Sequence, residues 1–253
     1  MISGKKIICV IPARLSSTRF PRKMLATLAN RPLLQWVWDA ASRVLCFDDV
    51  VFAVDAPEIA DVIKQFGGKF IMTSTACKSG TDRLIEVASS GAYSADIWVN
   101  WQGDEPFINE LMINDLLQTC ATDGASAWTL KKKITEIEQV TSSNVAKVVC
   151  DHQGNALFFS RSPIPFYRDC AHTSEGVYFK HVGLYAFTND ALQKISRMGV
   201  SALEEAEKLE QLRWLQHGLM VRVHETAFEV RGIDTLDDLV FAHSYIKNIQ
   251  QQV

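Results

Sequence analysis

The chain lacks both glycine-rich signatures that mark many nucleotide sites. No G-x-G-x-x-G follows a strand, and no G-x-x-x-x-G-K-[ST] occurs anywhere. That excludes a standard dinucleotide fold and a P-loop NTPase, so any phosphate must be met by other groups. There is also no C-x-x-C pair. The six cysteines (Cys9, Cys46, Cys77, Cys120, Cys150, Cys170) are scattered, which suits reduced thiols in a cytoplasmic protein better than a zinc site or a disulfide framework. The six histidines form no H-E-x-x-H pattern, which argues against a His-ligated metal. No apolar run approaches the roughly 18 residues that span a bilayer. Lys5 and Lys6 precede Ile7–Ile11, but this apolar stretch is too short for a signal peptide, and Arg14 breaks it off soon after. Excess positive charge is missing too: a net charge of −3 argues against a general nucleic-acid binder.

The composition is that of an ordinary globular protein, 47% hydrophobic and 22% charged over 253 residues. Strand-like and helix-like segments alternate, which predicts an α/β fold with a mostly parallel sheet flanked by helices. Strands are expected at 7–11, 50–54, 69–72 and 97–101. Helices are expected at 33–45, 58–66 (closed by Gly67-Gly68), 82–88 and 108–121. From Ala125 the pattern changes to short strands at 127–131, 146–150, 156–159 and 178–187, with a turn at Gly154. An amphipathic helix over 203–217, a strand at 221–224 and a helix over 236–249 complete the chain. It reads as a single α/β domain, 1–253, with a smaller inserted antiparallel β region forming a lobe around 125–190.

Ile8–Ile11 opens into a loop carrying Arg14, Arg19, Arg22 and Lys23, three hydroxyls (Ser16, Ser17, Thr18) and no acid. Ligands of open α/β sheets sit beyond the carboxyl ends of strands. Arginine forks and a lysine point charge there suit a polyanion such as a nucleotide triphosphate. Asp104 follows the strand 97–101, where a carboxylate could hold Mg²⁺ against phosphate; as a turn residue it could instead cap the next helix. Asp234 carries the same two readings. Ser79-Gly80-Thr81-Asp82-Arg83 can offer backbone N–H groups to an anion or simply cap a helix. Glu204–Gln211 is most simply a solvated helix face. His181 reads as a partly buried strand histidine. Trp36, Trp38, Trp128 and Trp214 read as core or interface, with Trp101 open between core and ligand contact.

These residues resemble the 3-deoxy-manno-octulosonate cytidylyltransferase family over nearly the whole chain. The resemblance rests on Ile11-Pro12-Ala13-Arg14, Ser17–Pro21, Lys23, Ser79–Arg83 and Gln102-Gly103-Asp104-Glu105-Pro106. It continues through Lys147-Val148-Val149, Ala156–Arg161, Lys180–Tyr185, Leu203-Glu204, Glu207, Leu209–Arg213 and Asp234-Thr235. It implies a nucleotidyltransferase-type, Rossmann-like fold and transfer of a cytidylyl group from CTP to an acidic eight-carbon sugar (Kdo), feeding lipopolysaccharide assembly. It implies Mg²⁺ on Asp104 and Asp234, and triphosphate on Arg14, Arg19 and Lys23. Ser17, Ser79, Gly80, Thr81 and Gln102 would help hold CTP. Arg83, Gln102, Arg161, His181, Tyr185, Glu210 and Gln211 would position the sugar. Arg14, Lys23, Asp104 and Asp234 form the implied catalytic set. A cytoplasmic homodimer through the region around 150–190 is implied as well. The 8-amino analogue of Kdo or a sialic acid are alternative acceptors, and a silent nucleotide-binding protein is the non-enzymatic alternative.

The chain departs from the family pattern at several points. Its Pro-Gly-Lys is Pro21-Arg22-Lys23, and its Gly-Lys-Pro is Asn30-Arg31-Pro32. If the lost glycine needs positive φ, Arg22 costs about 1 kcal/mol there. Asn is the next best left-handed residue. Ala-Thr-Asp is Ala53-Val54-Asp55, a frequent His is Cys77, and a small aliphatic is Trp101.

Overall fold

The computed structural model describes residues 4–168 and 178–250. Cys170 and the 169–177 part of the expected lobe lie outside the described residues. The chain divides into two compact units, 1–113 with 230–253, and 114–229.

In the first unit, β1 (Ile7–Ala13) is buried at every residue. Such a continuous apolar strand belongs inside a parallel sheet covered on both faces. A 3₁₀ turn (Lys23–Leu25) and a small hairpin, β2 (Thr27–Leu28) and β3 (Arg31–Pro32), come next. Then α1 (Leu33–Ser42), β4 (Asp49–Val54), α2 (Pro57–Gln65), β5 (Phe70–Met72), α3 (Gly80–Ser89) and β6 (Ile97–Asn100) alternate. The strands lie in the order β6-β1-β4-β5, all parallel. Register pairs Ala13 with Val54, so β1 and β4 end at the same level. Gly67 at φ 74° terminates α2, as expected, with Gly68 N–H returning to Ile63 O.

The helix α4 (Glu110–Leu117) leads on to the second unit. There β7 (Ala127–Lys133), α5 (Ile137–Thr141), β8 (Lys147–Cys150), β9 (Ala156–Ser160), β10 (Phe179–Thr188), α6 (Asn189–Ile195), α7 (Ala202–Glu207), α8 (Gln211–Gln216) and β11 (Val221–Glu225) follow. Pairs β7–β10, β8–β10 and β8–β9 are antiparallel, the expected inserted region, while β11 runs parallel to β7. The last helix, α9 (Leu236–Gln250), returns to the first unit. Its Ala242 and Ile246 pack with Leu28, Leu33 and Ile233. Among the described residues no helix is long and apolar enough to cross a membrane.

One expected element is corrected. The single helix over 203–217 is two, α7 and α8, because Lys208 adopts the left-handed conformation at φ 53° and ends the first. The apolar spacing runs through the break, so periodicity alone could not show it. The hairpin β2–β3 and the helices α5 and α6 were not expected; all are short.

The two glycine replacements behave as their positions demand. Arg22 sits at φ 57°, third in a turn closed by Lys23 N–H to Phe20 O at 3.2 Å, with Pro21 second. Such turns favour glycine at this place. Asn30 (φ 62°) and Ala29 (φ 48°) form the two-residue turn between β2 and β3, where positive φ matches the twist of the strands. A left-handed side-chain residue costs about 1–2 kcal/mol, partly offset by the extra unfolded freedom of glycine. Arg22→Gly is therefore expected to raise the unfolding midpoint by about 2–4 °C, measured by thermal melting.

Candidate active site

The loop leaving β1, the loop after β6, the start of α3 and the segment before α9 enclose a cavity of about 380 Å³ in the first unit. Arg14, Ser17, Arg19, Lys23, Ser79, Gly80, Arg83, Gln102, Asp104 and Asp234 line it, joined by Thr18, Lys78 and Glu105. Thr81 is buried in the first turn of α3.

The two aspartates are aimed by their neighbours. Asn109 Oδ1 accepts from Met112 N–H and so serves the start of α4, leaving Asp104 out of that role. Thr235 and Asp238 cap α9 reciprocally: Asp238 N–H donates to Thr235 Oγ1 and Thr235 N–H to Asp238 Oδ2. Asp234 is thereby released from capping. Ile233 N–H donates to Asp104 O at 2.8 Å and fixes the two segments side by side. Both carboxylates converge on Lys23: its Nζ contacts Asp104 Oδ2 and lies 2.7 Å from Asp234 Oδ1. Arg19 adds a contact of 3.0 Å to the other oxygen of Asp234. Burial works against the charge on Lys23, but the two aspartates outweigh it and its pKa is raised. Glu105, beside them, is pushed up to about 8, first by burial and then by Asp104 and Asp234, against the pull of Lys23. It is protonated at neutral pH, which limits the cluster to two carboxylate charges.

Hard carboxylate oxygens converging on one cation position suit a divalent ion that takes its remaining ligands from phosphate and water. No group of three or more His, Cys, Asp or Glu among the described residues forms a protein-only metal cage. Asp104 and Asp234 are the residues that could hold such an ion.

Ser79 and Asp82 form a capping box at α3: Asp82 N–H donates to Ser79 Oγ, and Ser79 N–H to Asp82 Oδ2. Gly80 and Gly103 are positions of close approach. A Cβ on Gly80 would lie 3.0 Å from Gln102 Oε1, and one on Gly103 would lie 2.9 Å from Pro12 O. Trp101 is resolved as core: it is fully buried, and Nε1 donates to Glu105 O at 3.0 Å.

The remaining expected residues belong to the second unit. Arg161 Nε donates to Glu207 O at 2.7 Å and its Nη1 to Ser143 O at 2.8 Å. Glu207 in turn accepts from Ser160 Oγ and Arg161 N–H. His181 Nε2 lies 3.0 Å from Thr129 Oγ1. The Thr129 hydroxyl also lies within hydrogen-bond reach of the carbonyls of Val182 and Leu184, at 3.0 and 2.9 Å. Desolvation beside Phe159 and Tyr185 lowers the His181 pKa from 6.5 to about 3. Tyr185 is raised well above its ordinary value by burial, then by Glu210. Gln211 Nε2 and Trp214 Nε1 are buried without a hydrogen-bond partner in the described structure, and the Tyr185 side chain faces Thr129. Leu209 and Gln211 are buried, so 204–211 is not a plain solvated face. Sequence reasoning gave no role to Glu207 or Thr129; each acts on a residue distant in sequence, and no local spacing signals that.

The profile of the cytidylyltransferase family matches residues 8–224. The 3-deoxy-manno-octulosonate cytidylyltransferase of Trichlorobacter lovleyi is 45% identical over 251 residues, covering 96% of this chain and 99% of the relative. That of Geobacter sulfurreducens is 46% identical over 242 residues, covering 92% and 96%. The chain belongs to the 3-deoxy-manno-octulosonate cytidylyltransferase family. It is thus a nucleotidyltransferase of the cytidylyl class. A member of this family of synthetases, the CMP-2-keto-3-deoxy-manno-octonic acid synthetase solved in complex with CTP, superposes with a TM-score of 0.90 at 38% identity, covering 96% of this chain and 99% of that one. A 4-diphosphocytidyl-2C-methyl-D-erythritol synthase from Anaerococcus prevotii, at 14% identity and a TM-score of 0.63, shares the fold.

Two outcomes are expected from this geometry. Gly103→Ala presses on the Pro12 backbone and should cost about 1–3 kcal/mol in denaturant unfolding. For His181, both folded and unfolded chains carry a neutral ring above pH 6.5, the ordinary value. Below that, down to about 3, only the unfolded chain takes the proton, so stability falls as pH falls. His181→Gln should flatten the acid limb of the melting temperature against pH.

Proposed function

We propose that the chain transfers a cytidylyl group from CTP to 3-deoxy-D-manno-octulosonate (Kdo), releasing CMP-Kdo and pyrophosphate, with Mg²⁺ as cofactor. The observation that carries the reading is the convergence of Asp104 and Asp234 on Lys23 inside a pocket rimmed by the cationic loop. The names of the relatives and the CTP complex of the superposed synthetase support the same substrates.

The anomeric hydroxyl of the sugar attacks the α-phosphorus, and the bond to the pyrophosphate oxygen breaks. Both substrates are anions and repel. Arg14, Arg19 and Lys23 offset that repulsion and the charge growing on the leaving group. Ser17, Ser79, Gly80, Thr81 and Gln102 hold the nucleotide. Asp104 and Asp234 would hold Mg²⁺, which when bound neutralises phosphate charge and polarises the phosphoryl oxygen. Holding the hydroxyl in line supplies much of the remaining acceleration. The hydroxyl proton passes to a carboxylate or to solvent. No covalent enzyme intermediate is required.

Arg83, Gln102, Arg161, His181, Tyr185, Glu210 and Gln211 are assigned to the acidic sugar. The unpartnered buried donor Gln211 Nε2 supports a polar ligand at the second unit. A cytoplasmic homodimer supplying lipopolysaccharide synthesis belongs to the same proposal. Exposed Leu157 (61%) and Phe166 (77%) support an interface in the 150–190 region.

Pyrophosphate release tests the reaction, with CTP, ATP, UTP and GTP each paired with Kdo, 8-amino-Kdo or a sialic acid. Release is expected with CTP and Kdo, and EDTA should stop it. Asp104→Ala should lower turnover about a hundredfold or more, and Lys23→Ala should raise the KM for CTP about tenfold. Release with another sugar would reassign the acceptor, and none with any pair would overturn the reading.

A further inference from the structure

We infer that Asp55 is a positioning residue that holds the cationic loop after β1 in its nucleotide-ready shape and ties it to α3. This inference rests on the reading of that loop as the nucleotide site.

Asp55 comes directly after β4, at the level where β1 ends, since Ala13 pairs with Val54. Its two carboxylate oxygens do different work. Oδ1 accepts from Leu15 N–H at 2.8 Å, inside the loop and next to Arg14. Oδ2 accepts from Arg83 Nη2 at 2.7 Å. The Asp55 and Arg83 side chains are 8% and 3% exposed, so solvent screens the pair little. Arg83 is held from its other side, with Nη1 donating to Thr73 Oγ1 at 2.8 Å and to Ser74 O at 3.2 Å. Thr73 is itself fixed to Val54 O through both its N–H and its hydroxyl.

The arrangement forms a continuous path from α3 through Arg83 and Asp55 to the Leu15 amide. It answers a problem that the loop creates. Arg14, Arg19, Arg22 and Lys23 repel one another, and the loop contains no acid of its own. Asp104 and Asp234 hold its far end through Lys23 and Arg19. Only a neighbouring element can hold its root, and Asp55 supplies both an acceptor and an opposite charge there. A pure core ion pair with Arg83 would leave Oδ1 without a loop partner.

Two double variants separate anchoring from general destabilisation, because neither leaves an unpaired buried charge. In D55N/R83Q the carboxamide oxygen can still accept from Leu15 N–H while its NH₂ faces the glutamine oxygen. In D55A/R83M the acceptor is gone. Both lose the guanidinium charge, so their difference reports the polar link from position 83 through position 55 to the Leu15 amide. CTP binding by calorimetry without sugar, and amide hydrogen exchange over residues 14–22, are measured on the full chain. Expected is CTP binding about tenfold weaker in D55A/R83M than in D55N/R83Q, as for one lost hydrogen bond to a charged or buried group. Exchange over 14–22 should be faster only in D55A/R83M. Equal CTP affinity with equal exchange in the two doubles would overturn the inference. If the parent chain does not bind CTP, the nucleotide reading falls, and the exchange comparison alone then decides the role of Asp55.

Discussion

One ammonium group organises the first unit. Lys23 Nζ is shared by Asp104 and Asp234, residues that lie 81 and 211 positions away in the chain. A largely buried cation is tolerable only where opposite charges meet it. Two carboxylates brought this close need a cation between them as much as it needs them. Much nearby structure serves that meeting. The backbone bond from Ile233 to Asp104 sets the two segments side by side. Asn109 and Thr235 take over the helix caps, so neither aspartate is spent on a helix end. Protonation of buried Glu105 avoids a third negative charge in the same space.

Most of the fold was legible because buried strands are continuous apolar runs and the helices between them keep their period. Ile7–Ala13 is the clearest case. The Lys208 break was not legible, since a left-handed lysine leaves no composition signal where a glycine would have. Arg22 shows the converse. The family pattern marked a glycine place, and the backbone is left-handed there although glycine is gone. For the pocket, the cationic loop, the start of α3 and the two aspartates named from the sequence line one cavity, while the sequence left Asp104 and Asp234 open between caps and ligands. Asn109 and Thr235 take the cap places. The roles of Asp55 and Glu207 stayed hidden because their partners, Leu15 and Arg161, are 40 and 46 positions distant.

The second unit solves a related problem with backbone carbonyls instead of side-chain acids. Lys147, fully buried, donates to the carbonyls of Ser142, Val145 and Arg161. Arg161 itself reaches the carbonyls of Ser143 and Glu207. Glu207 closes the network on Ser160 and on the Arg161 amide at the point where α7 ends. A helix that stops at Lys208 thus has its last turn held by an arginine from the end of β9.

The hydroxyl of Thr129 carries a consequence beyond packing. It meets the imidazole of His181 and the carbonyls of Val182 and Leu184, and so ties β7 to β10 at the place where their register shifts. A histidine held there with strongly lowered basicity does not become a cation near neutral pH. The ring keeps its place as a dipole while the surrounding acids and bases change charge, so the strand it belongs to feels little of a shift in pH around neutrality.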